Sequence, residues 1–336
     1  MSASRNLSWY LWPLTISYAA ATYARSAAYD LGLLRPRRLE GVVISVGNLT
    51  TGGTGKTPMV ELIVDRLGDE GKQVGILTRG YRGQRLADGT ATSDEVEIFK
   101  GNLSDEVKIG VGPDRFAVGQ QLARAGVQWF VLDDGFQHRQ LARDADVVLI
   151  DATNPFGGGH LLPVGRLREP KSALGRADIV VITRSESEPA LEESIRRITQ
   201  APIFYAHTEL DYLLCLNRSS GGLPGARLHK WFAFCGIGNP EAFIADLKRW
   251  NFDLKGWKFF PDHHRYTPDD ARAIEEECGR FGADTLVCTE KDAVNLGGAK
   301  IDAYELSYVR ISMKLARPED FWTELMNAVN RRRAVR

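Results

Sequence analysis

Short runs of consecutive apolar residues alternate with segments of helical period through the first part of the chain. The run Val42, Val43 and Ile44, continued by Val46, predicts a buried strand. A glycine- and threonine-rich stretch follows, and then Met59, Val60, Leu62, Ile63 and Leu67 recur at helical spacing. The same alternation predicts strands at residues 74–77, 127–132, 147–150 and 179–182, with a short one at 202–205. Helices are expected at 116–125 and, as a charged surface element, at 188–199. Buried strands joined by helical crossovers predict an α/β fold with a mainly parallel sheet flanked by helices. Its ligands belong at the C-terminal ends of the strands.

Residues 207–230 break this rhythm. Leu213, Leu214, Cys215 and Leu216 precede a turn-forming stretch from Ser219 through Gly222 to Pro224 and Gly225, which predicts a two-stranded connector. Trp231, Phe232, Ala233, Phe234 and Cys235 then open a second, smaller α/β unit, with helices expected at 241–250, 268–281 and 318–331 and a strand at 285–288. The expected organisation is an N-terminal region (1–40), a core (41–206), a connector hairpin (207–230) and a C-terminal α/β domain (231–336). A length of 336 residues accommodates two domains. Arg331, Arg332 and Arg333 read as a solvated basic end.

The stretch between the first strand and its helix carries the chemistry. Thr50, Thr51, Gly52, Gly53, Thr54, Gly55, Lys56 and Thr57 form a loop that gathers backbone N–H groups and a helix N-terminus at one spot, which favours bound phosphate. Lys56 can reach β- and γ-phosphates, and the Thr57 hydroxyl can ligate Mg²⁺. Thr50 stands where the strict phosphate-loop motif has glycine, so the match is Gly-Gly-x-Gly-Lys-Thr in a strand–loop–helix context. An apolar strand ending in Asp133 and Asp134 fits the acid that holds Mg²⁺ beside such a loop. His138 follows closely and is either structural or an orienting group. Arg166 and Arg168, with Glu169, follow the Gly157–Gly158–Gly159–His160 loop, and guanidinium groups there suit phosphate. Asp262, His263 and His264 precede a helix start marked by Thr267 and Pro268. Consecutive histidines in an extended segment point apart, so an Asp/His acid–base element is expected rather than a metal site. Ser93, Asp94 and Glu95 lie in a polar stretch and, taken bare, read as surface acids.

Composition narrows the alternatives. The 43 basic and 43 acidic residues cancel, so overall charge gives no support for a nucleic-acid partner. The four cysteines contain no C-x-x-C pair, which argues against a zinc site or a disulfide framework. Residues 6–24 carry no formal charge and are rich in aromatics, yet Pro13 and many Ser, Thr and Ala leave them short of the roughly 20 predominantly apolar residues of a spanning helix. With Arg5, Arg25, Arg35, Arg37 and Arg38 nearby, this segment suits either a helix lying in a bilayer interface or one packed on its own domain.

The order of motifs resembles the tetraacyldisaccharide 4′-kinase family, the lipid A 4′-kinases of Gram-negative bacteria. The likeness rests on the loop from Gly47 to Pro58, Arg79-Gly80-Tyr81, the Asp133–His138 segment, the Leu161–Pro170 segment, Phe260–His263 and Thr289–Ala293, and so covers nearly the whole chain. Thr before Gly-Gly in the phosphate loop is that family's habit. The resemblance implies a P-loop NTPase-type sheet with a second, smaller domain. The implied reaction is Mg²⁺-dependent transfer of the ATP γ-phosphate to the 4′-hydroxyl of a tetraacylated glucosamine disaccharide 1-phosphate, at the cytoplasmic face of the inner membrane with no obligate protein partner. It also implies that Asp94 is the catalytic acid–base residue, although Ser93 and Val96 replace the Gly and Pro that usually flank the pair. His263 corresponds to its assistant, and Arg168 and Glu169 to the family's Arg-Glu pair. Arg166 stands in place of a common Pro. The competing expectation is a P-loop ATPase switch or partner-loading protein, which has no need of Asp94, Arg168, Glu169 and His263.

Overall fold

The computed structural model describes residues 9–80, 84–85, 91–217 and 229–334. Arg5, the 81–83 part of the loop after the second strand, and the 219–225 turn lie outside the described residues. Helix α1 (Trp12–Asp30) leads to β1 (Val42–Asn48), α2 (Lys56–Asp69) and β2 (Val74–Thr78). A minimal hairpin, β3 (Gln84–Arg85) with β4 (Ala91–Thr92), precedes α3 (Asp94–Asn102), β5 (Lys108–Val111), α4 (Arg115–Arg124) and β6 (Trp129–Asp133). There follow β7 (Ala145–Asp151), β8 (Ile179–Thr183), α5 (Pro189–Arg196), β9 (Ile203–Cys215), β10 (Lys230–Cys235) and α6 (Pro240–Arg249). The chain closes with β11 (Asp253–Phe259), α7 (Pro268–Arg280), β12 (Thr285–Thr289), α8 (Glu290–Asn295), β13 (Glu305–Leu315) and α9 (Pro318–Ala334).

Eleven strands form one sheet in the order β11-β10-β12-β13-β9-β8-β7-β1-β6-β2-β5. All pairings are parallel except β9 with β13. Every residue of β1 is buried because helices cover both faces of the parallel half. Helix α2 turns Met59, Val60, Ile63, Val64 and Leu67 onto that sheet.

The antiparallel pair explains how two parallel half-sheets make one cleft. The start of β9 pairs with β8, whereas residues 206–215 run on to pair with 315–307 of β13. A 13-residue strand reaches about 40 Å, enough to belong to both halves. Strands parallel to β13 therefore run opposite to those parallel to β9, and the C-terminal strand ends of the two halves face one another.

Several expectations change. Among the described residues of the expected connector hairpin, 207–215 pair not with a strand of the same segment but with β13, about a hundred residues further on, and the predicted 202–205 strand is the first part of β9. The last helix does not stay with the second unit. Phe321, Leu325, Ala328 and Val329 of α9 pack into the core of the first half with Val60, Val64 and Val147. Arg332 is not simply solvated but pairs with Asp178 (2.6 Å) and Asp146 (3.4 Å). Ser93–Glu95 is no surface loop: Ser93 caps α3, its Oγ accepting from the Val96 N–H, and Asp94 is 8% exposed.

Helix α1 packs on its own domain, one of the two expectations for the N-terminus. One side is fastened: Thr15 is buried, Tyr18 donates to the Arg168 carbonyl (2.8 Å), and Trp12 meets His160 edge-on. Elsewhere along the helix Leu14, Ile16 and Tyr23 are exposed, as is Tyr10 just before it. Among the described residues, no helix is long and apolar enough to cross a membrane.

Candidate active site

The loop after β1 and the N-terminus of α2 open into a cleft of about 720 Å³ between the two halves. Gly52 and Gly55 have φ of 122° and 85°, conformations that favour glycine and let the backbone turn tightly into the helix. The loop is held from outside: the Thr51 N–H donates to the Arg166 carbonyl (2.8 Å), and the Thr183 hydroxyl donates to the Thr54 carbonyl (3.2 Å). Thr50 to Thr57 all line the cleft, as the phosphate-loop expectation requires. Lys56 Nζ lies 3.4 Å from Asn48 Oδ1 and 3.7 Å from Asp134.

Parallel pairing of β1 with β6 sets Val46 opposite Asp133 and brings both acids to the loop. The two differ sharply. Asp134 has a left-handed φ of 48°, which Asp tolerates better than most residues. Arg168 takes both of its oxygens, at 2.6 Å each. Burial pushes the Asp134 carboxyl up, but Lys56, Arg168 and Arg115 outweigh it and hold the group well below the usual carboxylate range. Asp133 is buried, accepts from the Thr78 hydroxyl (3.2 Å), and is pushed up by that burial and by the adjacent Asp134 charge.

The second half supplies the facing wall. The loop after β10 brings Ile237 and Gly238, the segment after β11 brings Asp262 and His263, and the β12–α8 junction brings Thr289, Glu290 and Lys291. Fully buried Asp292 ties these loops together, accepting from the Gly236 N–H (2.7 Å), Tyr266 (2.8 Å) and Thr289. His263, with φ of 60°, donates from Nδ1 to Asp94 (2.8 Å), while Lys291 donates to its Nε2 (3.2 Å). That pattern fits the neutral imidazole with its proton on Nδ1. Lys291 also lies 3.5 Å from Asp94, and Asn295 donates to it at 3.4 Å. Burial alone would raise the Asp94 carboxyl. The His263 hydrogen bond and the Lys291 charge override it and hold the group well below the ordinary range.

Asp94 and His263 thus meet across the two halves, with Glu95, His263 and Lys291 in the cleft wall and Asp94 directly behind them. Glu169 is placed differently. It is paired with Arg176, is buried, and does not line the cleft, whereas Arg168 does. His138 also lies outside the cleft, and burial together with Arg115 and Arg143 pushes it down to about 4, so it is neutral and structural. Sequence reasoning missed Arg115 and Glu95. Arg115, buried at the start of α4, donates to the Asp133 carbonyl (3.1 Å). Glu95 is pushed up to about 7 by burial and the charges of Asp94 and Asp133. A Ser-capped helix start at Ser93 was the available signal for Glu95.

The family model described as tetraacyldisaccharide-1-P 4′-kinase (LpxK) matches residues 7–330. The chain belongs to this family. A tetraacyldisaccharide 4′-kinase from Anaeromyxobacter sp. (strain K) is 36% identical over 332 residues, covering 93% of this chain and 88% of the relative. One from Geobacter metallireducens is 37% identical over 307 residues, covering 84% and 87%. The crystal structure of LpxK from Aquifex aeolicus in complex with ATP superposes with a TM-score of 0.70 at 30% identity, covering 96% of this chain and 99% of that one. Membership makes this chain a kinase with a hydroxyl acceptor, performing ATP-dependent 4′-phosphorylation in lipid A biosynthesis.

Proposed function

We propose that the cleft binds ATP along the loop from Thr50 to Thr57 and passes its γ-phosphate to the 4′-hydroxyl of a tetraacylated glucosamine disaccharide 1-phosphate, with Asp94 accepting the hydroxyl proton. The observation that carries this reading is the Asp94–His263 hydrogen bond, which joins residues 169 positions apart beside the phosphate loop. A nucleotide-driven switch has no use for such a pair.

Phosphoryl transfer asks mainly for positioning and charge neutralisation. Lys56 and the loop amides hold the β- and γ-phosphates. Arg168 locks Asp134 beside Lys56, and Arg115 adds positive charge behind the acids. Ile237, Phe243, Trp250 and Ile311 give the cleft an apolar wall suited to a flat heterocycle. Asp94 is ionised at every physiological pH, so it is a weak base. That suffices because in a loose transition state the hydroxyl becomes acidic as its bond to phosphorus forms. His263 orients Asp94, and Lys291 supplies charge between Asp94 and Asp262. Glu169 acts only through Arg176 and its chain neighbour Arg168.

The residues fit Mg²⁺. Thr57 and Asp133 offer hard oxygen donors, and Asp133 is a buried carboxylate raised by its surroundings, whereas both oxygens of Asp134 are already taken. Thr57 and Asp133 would hold the ion, which supplies neutralisation of charge on the β- and γ-phosphates.

The acceptor's acyl chains leave a bilayer at a cost of about 0.8 kcal/mol per CH₂, so the enzyme must come to them. Residues 1–40, with the exposed apolar residues of α1, serve as a peripheral contact with the cytoplasmic face of the inner membrane. Residues 41–206 with α9 act as the kinase core, and β9 with β13 joins it to the second unit.

Asp94→Ala tests the assignment. A positioned base is worth about 10²–10⁴-fold, so kcat falls by that much while ATP binding is retained. Turnover at the wild-type rate refutes the role.

A further inference from the structure

Away from the catalytic cleft, a cavity of about 490 Å³ lies at the end of α1. It is lined by five arginines, Arg38, Arg139, Arg143, Arg331 and Arg332, together with Tyr29, Pro36, Leu141 and Ala142, and no acidic residue among the described residues lines it. The arginines come from three distant places: the exit of α1, the segment between β6 and β7, and the end of α9. We propose that this cavity binds the phosphate group of an anionic phospholipid and so fixes the protein on a charged bilayer. The inference rests on the reading that α1 meets the membrane, and adds to it a choice of lipid.

Acids hold the arginines from behind. Arg139 pairs with Asp30 (2.7 Å), Arg38 with Asp144 (3.7 Å), Arg143 with Asp146 (3.1 Å) and Arg332 with Asp178 (2.6 Å). Arg331 has no acidic partner among the described residues. Arg332 spends its donors on Asp178, Asp146 and the Arg143 and Arg176 carbonyls, and Arg143 most of its own on Asp146 and the His138 and Leu141 carbonyls, so these two frame the cavity. A guanidinium carries five N–H donors in a planar fork, so Arg38, Arg139 and Arg331 keep donors over for a phosphate. The partners orient the group, and the excess of one cation over the four acids leaves the cavity positive.

Position distinguishes a lipid phosphate from the phosphates of the reaction. Arg38 precedes β1 and Arg143 precedes β7, so the cavity sits at the N-terminal ends of the strands, opposite the phosphate loop. Helix α1 runs between the two sites, from Trp12 against His160 to Arg139 against Ser26 and Asp30, and its 19 residues span about 28 Å. That is longer than a disaccharide head group. Immediately beyond α1, Leu31 and Leu33 are 75% and 76% exposed, with Leu34 beside them and Pro36 in the cavity wall. Exposed leucines next to an arginine pocket match an acyl region next to a phosphate. A soluble anion or a nucleic acid has no use for the leucines.

The test is co-sedimentation of the full chain with vesicles of phosphatidylcholine alone, or with a share of phosphatidylglycerol. Each basic residue near an anionic surface is worth roughly fivefold in partitioning. Arg331→Glu therefore lowers binding to the anionic vesicles roughly fivefold or more, and Arg38→Gln with Arg331→Gln lowers it by at least about tenfold. Both variants keep wild-type binding to neutral vesicles and wild-type turnover of detergent-dispersed acceptor, and the exposed control Lys300→Glu binds both vesicles as wild type. Wild-type binding by the arginine variants, an equal loss in Lys300→Glu, or equal wild-type binding to both vesicles overturns this proposal alone. Binding of labelled inorganic phosphate with no gain on anionic vesicles assigns the cavity to free phosphate and overturns it too. Binding to neither vesicle overturns the membrane reading along with it.

Discussion

Gly238 is where the second half touches the phosphate loop, and one methyl group there has a calculable consequence. A Cβ at this position would lie 2.9 Å from Gly52 Cα, 3.0 Å from Gly53 N and 3.3 Å from Asp262 Oδ2. Two of those atoms are backbone and cannot rotate away. Carbon contacts settle at about 3.5–4.0 Å, so Gly238→Ala must separate the loops by roughly 0.5–1 Å. The same glycine accepts a hydrogen bond from Arg166 through its carbonyl (3.1 Å), so the displacement is transmitted to a second support of the loop. A misplacement near 1 Å costs on the order of 10²-fold in a positioned reaction. The expected loss in kcat is therefore about 10–100-fold, or about 1.4–2.7 kcal/mol of barrier, with little loss of stability. The assay is steady-state transfer to the disaccharide acceptor. Gly298→Ala serves as control, since its Cβ meets nothing within 4 Å. Wild-type kcat in Gly238→Ala would show that the two halves do not meet through this contact during turnover.

Other consequences follow from burial and charge. Glu61 is buried in the cleft wall and accepts from Asn102 (2.8 Å); burial, with Glu290 and Asp65, pushes it up to about 7 against the opposing effects of Asn102 and Arg310. Its stabilising contribution is present below the unfolded pKa near 4.5 and is lost as pH rises through about 7. Glu61→Gln should thus raise the nucleotide-free Tm at pH 8, by a stability difference of roughly 3 kcal/mol, and match wild type near pH 4.5; a pH-independent difference would contradict this. Phe321→Ala, in the fully packed seam between α9 and the first half, should cost about 3–5 kcal/mol in denaturant unfolding, and a loss below about 1 kcal/mol would remove α9 from that core. If Asp94 and His263 work as one unit, Asp94→Asn with His263→Gln should lose no more kcat than Asp94→Asn alone, whereas multiplicative losses would mean independent roles.

The phosphate-loop half was legible because its signals are local. The apolar run at Val42, the glycines before Lys56 and the helical spacing from Met59 lie within one short stretch and mean the same thing. Helix α3 was legible in principle. Ser93 as cap with Val96, Phe99 and Leu103 on one face is a helix pattern, but its brevity and polar surroundings hid it. The long-range pairings carried no local signal. Nothing near residue 206 indicates a partner at 315, and nothing in Phe321 or Leu325 says which sheet they cover. The site divides in the same way. Motifs located Lys56, Asp133, Asp134, Arg168 and His263, but only the fold separates an Asp134 saturated by Arg168 from an Asp133 that is not, or sends Glu169 to Arg176.

The account depends most on the phosphate loop delivering the end of ATP to a sugar hydroxyl. Purified wild-type protein and Lys56→Ala, each given γ-labelled ATP, Mg²⁺ and the tetraacylated disaccharide 1-phosphate, should differ plainly when the lipids are separated by chromatography. Wild type should place the label on the disaccharide in a bond that survives removal of the 1-phosphate, and Lys56→Ala should leave the lipid unlabelled. Label released only as inorganic phosphate, or an equally labelled lipid from Lys56→Ala, would contradict it.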